Sequence, residues 1–262
     1  MFVRDAGING FQGRARKNRW FALNANLHIG IDRERKNKMI QAKQTQIYVS
    51  PSSLRILENC PKCFYMSIIN KIKRPSGGFP TLGGGIDLQL KKHYDKYMEK
   101  GELPPEIIKH KINAKLFSDI GLLEVWRSNF KGIQAKDNES GIILRGAVDH
   151  LLEKDGKIIV LDFKTRGYDL KENTHHDYVD QMNIYNYLLR RNGYETHDYS
   201  YLMFYIFESV DNDGTFIFKT ELVEVPVDIK HAQNLFTKAI KVLQGDCPAS
   251  SEKCEYCNWK GK

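Results

Sequence analysis

The fold class this sequence predicts is α/β, a mixed central sheet flanked by helices. Three observations predict it. Two β-prone apolar runs, GIILRGAVDHLLEK (141–154) and GKIIVLDFKT (156–165), flank the turn signal Lys-Asp-Gly and read as a hairpin. HDYVDQMNIYNYLLRR (176–191) repeats Tyr178, Gln181, Met182, Tyr185, Leu188 and Leu189 at intervals of three and four, the period of an amphipathic helix. Strand character returns in YSYLMFYIF and GTFIFKTELVEVPV before a last helical stretch, DIKHAQNLFTKAIKVLQG.

The remaining elements fit around that frame. VSPSSLRILENCPKCFYMSIINKI offers a serine cap and apolar residues near helical spacing at Leu54, Leu57, Phe64, Ile68 and Ile69. RPSGGFPTLGGG (74–85) reads as loop, and IDLQLKKHYDKYM as a helix with one buried stripe at Ile86, Leu90, Tyr94 and Tyr97. Residues 101–135 are weakly patterned, with a helix predicted around LLEVWRSNF. No internal repeat or low-complexity tract stands out.

Charge divides the chain in two. Residues 1–38 hold nine Lys and Arg against three acids, and so account for +6 of the net +8. The near-neutral remainder makes the overall basicity poor grounds for a nucleic-acid partner. Residues 1–46 read as a basic arm, disordered or lying upstream of a true start at Met39, and residues 47–262 as one domain. No apolar stretch approaches the length that spans a bilayer, and no secretory leader is legible. The expectation is a cytoplasmic protein with no membrane partner.

The chemistry gathers at the end of the hairpin. Asp162 and Lys164, two positions apart on a strand, share a face, and pairing through the turn brings Asp149 towards them. Two neighbouring carboxylates are tolerated when a proton or a divalent cation lies between them. Hard oxygen donors suit Mg²⁺ or Mn²⁺, which can stabilise a phosphoryl transition state. Lys164 is placed to orient or help deprotonate a water. Alone, an Asp-x-Lys triplet is commonplace and usually a surface ion pair. The ordered set carries the reading: GAVD, a turn, an apolar run into Asp-Phe-Lys-Thr, then Gln181 and Tyr185 four apart.

GAVDHLL, IIVLDFKT and QMNIYNYLL together resemble the PD-(D/E)XK nuclease superfamily, and within it the RecB-type branch that includes CRISPR-associated adaptation nucleases. The resemblance covers about residues 48–259. It implies a restriction-endonuclease-like fold and a metal-dependent nuclease, with DNA as the expected substrate and repair among its settings. Asp149 and Asp162 would bind the metal with the Phe163 backbone carbonyl, Lys164 would be the catalytic lysine, and Gln181 and Tyr185 would position substrate and site. The branch places a further ligand four residues after a glycine on an early helix. Here Asp87 follows Gly83 and Gln89 follows Gly85 at that distance, and Asp87 is the better donor; nearby His93 reads as a surface histidine.

Cys60 and Cys63 form C-P-K-C, and Cys254 and Cys257 form C-E-Y-C near the other end. Relatives in the branch hold a [4Fe–4S] cluster on one early and three late cysteines, which maps to Cys60, Cys247, Cys254 and Cys257. Two C-x-x-C pairs, with Cys63 in place of Cys247, would instead make a Zn²⁺ site, and packed or free thiols are the third reading. No G-x-x-x-x-G-K-[ST] loop occurs, so any helicase is a partner in trans, as is any other repair or defence protein. Aromatic residues could stack on bases, though most fall on predicted core faces. The alternative to an enzyme is a catalytically silent domain of this fold that binds nucleic acid or a protein.

Overall fold

The structure is a computed structural model and describes residues 46–75 and 81–258. The basic arm expected over residues 1–46 lies, apart from Gln46, outside the described residues. Five strands form the larger sheet: β2 (Lys115–Leu116), β5 (His150–Lys154), β6 (Lys157–Arg166), β7 (Tyr199–Val210) and β8 (Phe216–Pro226), in that spatial order. A smaller sheet orders β1 (Tyr48–Val49), β4 (Ile143–Gly146) and β3 (Ile133–Lys136). Helices α1 (Pro51–Asn59), α2 (Pro61–Ile68), α3 (Thr81–Lys100), α4 (Pro105–Lys109), α5 (Ile120–Arg127), α6 (Val179–Arg191), α7 (Ile229–Gln244) and α8 (Glu255–Asn258) surround the sheets. Among the described residues, no helix is long and apolar enough to cross a membrane.

β5 and β6 pair antiparallel from His150↔Leu161 to Lys154↔Lys157. Asp155 and Gly156 both take positive φ, 51° and 75°, in the tight two-residue turn that matches strand twist. The chain before β5 differs from the predicted continuous strand. It splits at Ala147–Asp149, so that β4 joins one sheet and β5 the other, and Asp149 sits in the gap. Gly146 ends β4 against α6, where an added Cβ would lie 2.8 Å from Leu188 Cδ1 and 2.9 Å from the Tyr185 ring. Gly146→Ala is expected to cost about 1–3 kcal/mol by overpacking and to displace Tyr185; chemical denaturation measures the first effect.

β6 and β7 run parallel, from Leu161↔Tyr201 to Arg166↔Ile206. A parallel pair needs a crossover, supplied by a 3₁₀ turn (Thr174–Tyr178) and α6. The crossover starts the helix near the C-terminal end of β6, which brings Gln181 back over Asp162 and Lys164. β6 lies inside the sheet with neighbours on both edges, so Asp162 is 1% exposed. On the opposite face of the strand, Phe163 meets Tyr94 of α3, with ring centroids 4.6 Å apart.

Two further elements depart from expectation. The predicted helix near residues 51–69 is broken at Cys60 (φ −162°, ψ 108°), because Pro61 lacks an N–H and pushes its predecessor out of the helical region. The glycine-rich stretch expected as loop is helical from Thr81 onward. Burial of Tyr94 and Met98 on α3 outweighs the poor helix propensity of its first turns.

Candidate active site

At the C-terminal half of β6, five side chains form one connected set. Lys164 Nζ lies 2.6 Å from Asp162 Oδ2, a close ion pair that partners this buried oxygen. Gln181 spans the pair: its Oε1 accepts from Lys164 Nζ at 3.2 Å, and its Nε2 donates to Asp162 Oδ1 at 3.2 Å. The same Nε2 donates to Tyr185 Oη at 2.7 Å, one helical turn further on. Asp149 joins through the backbone, its Oδ2 accepting the Phe163 N–H at 2.9 Å.

α3 completes the acidic set through a residue the sequence did not single out. Lys91 Nζ lies 2.7 Å from Asp87 Oδ2 and 2.8 Å from Asp149 Oδ1, bridging the two carboxylates. Asp87 thus reaches the site by way of Lys91. Gln89 and His93 do not: both line a separate groove with Leu82 and Ile86, where His93 pairs with Glu106 at 3.2 Å. Arg127 fixes the gap that holds Asp149, donating from Nε to the Asp149 carbonyl at 2.7 Å while pairing with Asp95 at 2.6 Å. Tyr178 presents its ring 4.5 Å from Lys164 Nζ. Lys91 lies four residues after Asp87 on the predicted helix, but its contact with Asp149 exists only once α3 is docked beside the gap after β4.

Burial first, then the charge of Asp149, push the Asp162 carboxyl up to about 7, against the pull of Lys164 and Lys91. Burial would lower Lys164, but the Asp162 carboxylate beside it and Asp149 together outweigh burial and the shift is upward. Lys164 is therefore an ammonium. Tyr185 is raised by burial and by the nearby carboxylates, and stays a neutral phenol. Three carboxylates, Asp87, Asp149 and Asp162, held together by Lys91 and Lys164, have the donor chemistry that suits a hard divalent cation. A cavity of about 720 Å³ reaches Tyr178, Gln181 and Tyr185 and is lined elsewhere by Arg55, Asn129 and Arg145. Beside it, His231 Nε2 pairs with Asp180 at 2.8 Å, next to Glu58, in a mostly exposed network.

His150, beside Asp149, is a core histidine. Burial, then Arg127, lower its pKa from 6.5 to about 3. With the folded pKa below the unfolded one, the unfolded chain binds the extra proton, so stability present above pH 6.5 is lost as pH falls towards 3. The effect is on the order of 5 kcal/mol. Acid unfolding of His150→Asn, which keeps an acceptor for the Leu151 N–H, is expected to show a flatter acid limb than the wild type.

A second group lies where the broken helix meets the chain's last described residues. Sγ of Cys63 is 3.6 Å from that of Cys254 and 3.5 Å from that of Cys257, and Cys60 is 3.8 Å from Cys257. All four ligand atoms lie within 4.8 Å of one another, an arrangement that can hold a metal ion. Cys247, expected as a ligand beside Cys60, Cys254 and Cys257, is exposed and outside this group. Cys63 holds its place, because Cys60 and Cys63 flank the first turn of α2 and point to the same side.

No curated protein matches the chain. Among solved structures, it is similar to SSO0001, with 16% identity over 86% of this chain and 89% of that one and a TM-score of 0.40. It is also similar to an alkaline exonuclease (LHK-Exo) from Laribacter hongkongensis, with 10% identity over 79% of this chain and 91% of that one and a TM-score of 0.36. A family profile described as the PD-(D/E)XK nuclease superfamily matches residues 109–261. That span is more than half of the sequence and contains Asp149, Asp162, Lys164, Gln181 and Tyr185, so the chain belongs to the PD-(D/E)XK nuclease superfamily.

Proposed function

We propose that residues 47–262 form a divalent-metal-dependent nuclease that hydrolyses phosphodiester bonds, with DNA as substrate. The observation that carries the reading is the convergence of the Asp87, Asp149 and Asp162 carboxylates on Lys91 and Lys164, with Gln181 tying Lys164 to Asp162. Mg²⁺ or Mn²⁺ held by Asp149 and Asp162, with Asp87 and the Phe163 carbonyl, would supply Lewis-acid activation of the phosphodiester and of water. Lys164, held as an ammonium, orients the attacking water and offsets charge growing on the phosphate. Gln181 fixes Lys164 and Asp162 relative to each other, and Tyr185 holds Gln181. Strand separation, where the substrate needs it, would fall to a helicase partner.

Labelled single- and double-stranded DNA and RNA, incubated with Mg²⁺ or Mn²⁺, test the reading. DNA cleavage that Asp162→Asn abolishes supports it. Absence of cleavage of any substrate with either metal favours a silent binding domain instead.

Lys91 bears on metal affinity. One oxygen of Asp149 is taken by the Phe163 N–H, and Lys91 holds the other. An incoming cation must displace that ammonium. Lys91→Met is expected to tighten Mn²⁺ binding several-fold in a calorimetric titration and to lower the Tm of the metal-free protein.

A further inference from the structure

We infer that Cys60, Cys63, Cys254 and Cys257 form a mononuclear tetrahedral Zn²⁺ site that fastens α8 to the junction of α1 and α2. The distances separate the candidate occupants. Thiolates bound to one zinc at about 2.3 Å stand about 3.8 Å apart along the edges of their tetrahedron. Here the close Sγ pairs are 3.5, 3.6 and 3.8 Å apart, with every pair inside 4.8 Å. An iron–sulfur cube binds each thiolate to a different iron and holds the four sulfurs further apart than a single ion does. A disulfide draws its two sulfurs to about 2 Å, well short of any pair here. The spacing is that of one ion.

The surroundings supply what a thiolate-rich ion needs. Each pair comes from a C-x-x-C turn. In the first, Pro61 opens α2 directly after Cys60, so that the chain folds back on itself. The Phe64 N–H donates to the Cys60 carbonyl at 3.1 Å across that turn. In the second, Cys257 N–H donates to the Cys254 carbonyl at 3.1 Å. Four thiolates on Zn²⁺ leave a net charge of −2, and the Arg74 guanidinium, 3.9 Å from Cys254 Sγ, offsets part of it. Arg74 also stacks on Tyr256 at 4.5 Å, between the two cysteines of the second turn. Such outer contacts orient ligands and tune their basicity. Zinc has no redox chemistry, so the site is structural and independent of the nuclease centre.

The test is metal analysis and absorbance of the full chain, purified anaerobically without a histidine tag. One zinc per chain and no brown absorbance are expected. Cobalt exchanged for zinc should give the intense visible bands of a tetrahedral cobalt thiolate. Cys247→Ser should keep its zinc, while Cys63→Ser or Cys254→Ser should lose it. A brown protein with stoichiometric iron and sulfide overturns the inference. So does zinc loss in Cys247→Ser, or a folded metal-free wild type whose thiols all react at once with a thiol reagent. The wild-type and Cys247→Ser measurements hold even where the other variants do not fold.

Discussion

Asp162→Asn and Lys164→Ala are each expected to lower metal-dependent cleavage by about two to three orders of magnitude, the usual loss when one charge-stabilising group leaves a preorganised site. The geometry explains why neither neighbour can compensate. Asp162 is 1% exposed and closed in by strands on both sides, so water cannot replace its charge. Lys164 lies 2.6 Å from that carboxylate, and Gln181 fixes both. Removing either partner leaves the other buried without its counter-charge, which is costly. The groups act as a unit, so the double variant should be little worse than the worse single one. Single-turnover rates with saturating Mn²⁺, beside circular dichroism to confirm folding, measure this. Retention of more than a third of the wild-type rate by either variant would falsify the catalytic assignment.

The second large effect is on stability. Cys63→Ser, or prolonged chelation of the wild type, is expected to lower Tm by about 10 °C, taking a loss of about 3–4 kcal/mol at roughly 2–4 °C per kcal/mol for a domain of this size. Cys60 and Cys63 are buried at the junction of two helices whose core faces include Leu54, Leu57 and Phe64. Freeing the tail therefore exposes more than the tail itself. Differential scanning calorimetry of wild type, Cys63→Ser and Cys247→Ser gives the comparison, and an unchanged transition in Cys63→Ser sinks the prediction.

What could be read in advance followed from strong local periods. The β5–β6 hairpin showed as two apolar runs around Asp155–Gly156, and α6 as a clean helical repeat. Those periods also put Asp162 beside Lys164, and Gln181 one turn from Tyr185. Features set by tertiary contact were not legible. The break after Gly146 depends on how closely β4 approaches Tyr185 and Leu188. Lys91 and Arg127 gain their roles only when α3 and α5 are docked. The two C-x-x-C spacings leave Cys63 and Cys247 as alternatives, and Cys63 groups with Cys60, Cys254 and Cys257 only once α8 is docked beside α2.

The cysteine junction also bears on the order of events during folding. Cys63 and Cys254 stand 191 positions apart. Closing a loop of that length in a random chain costs about 4–5 kcal/mol of entropy, so the two halves of the junction do not meet early. They come together only after the sheet and the crossover have already brought α2 and α8 near one another. The clasp is therefore a closing step, which seals a framework formed without it.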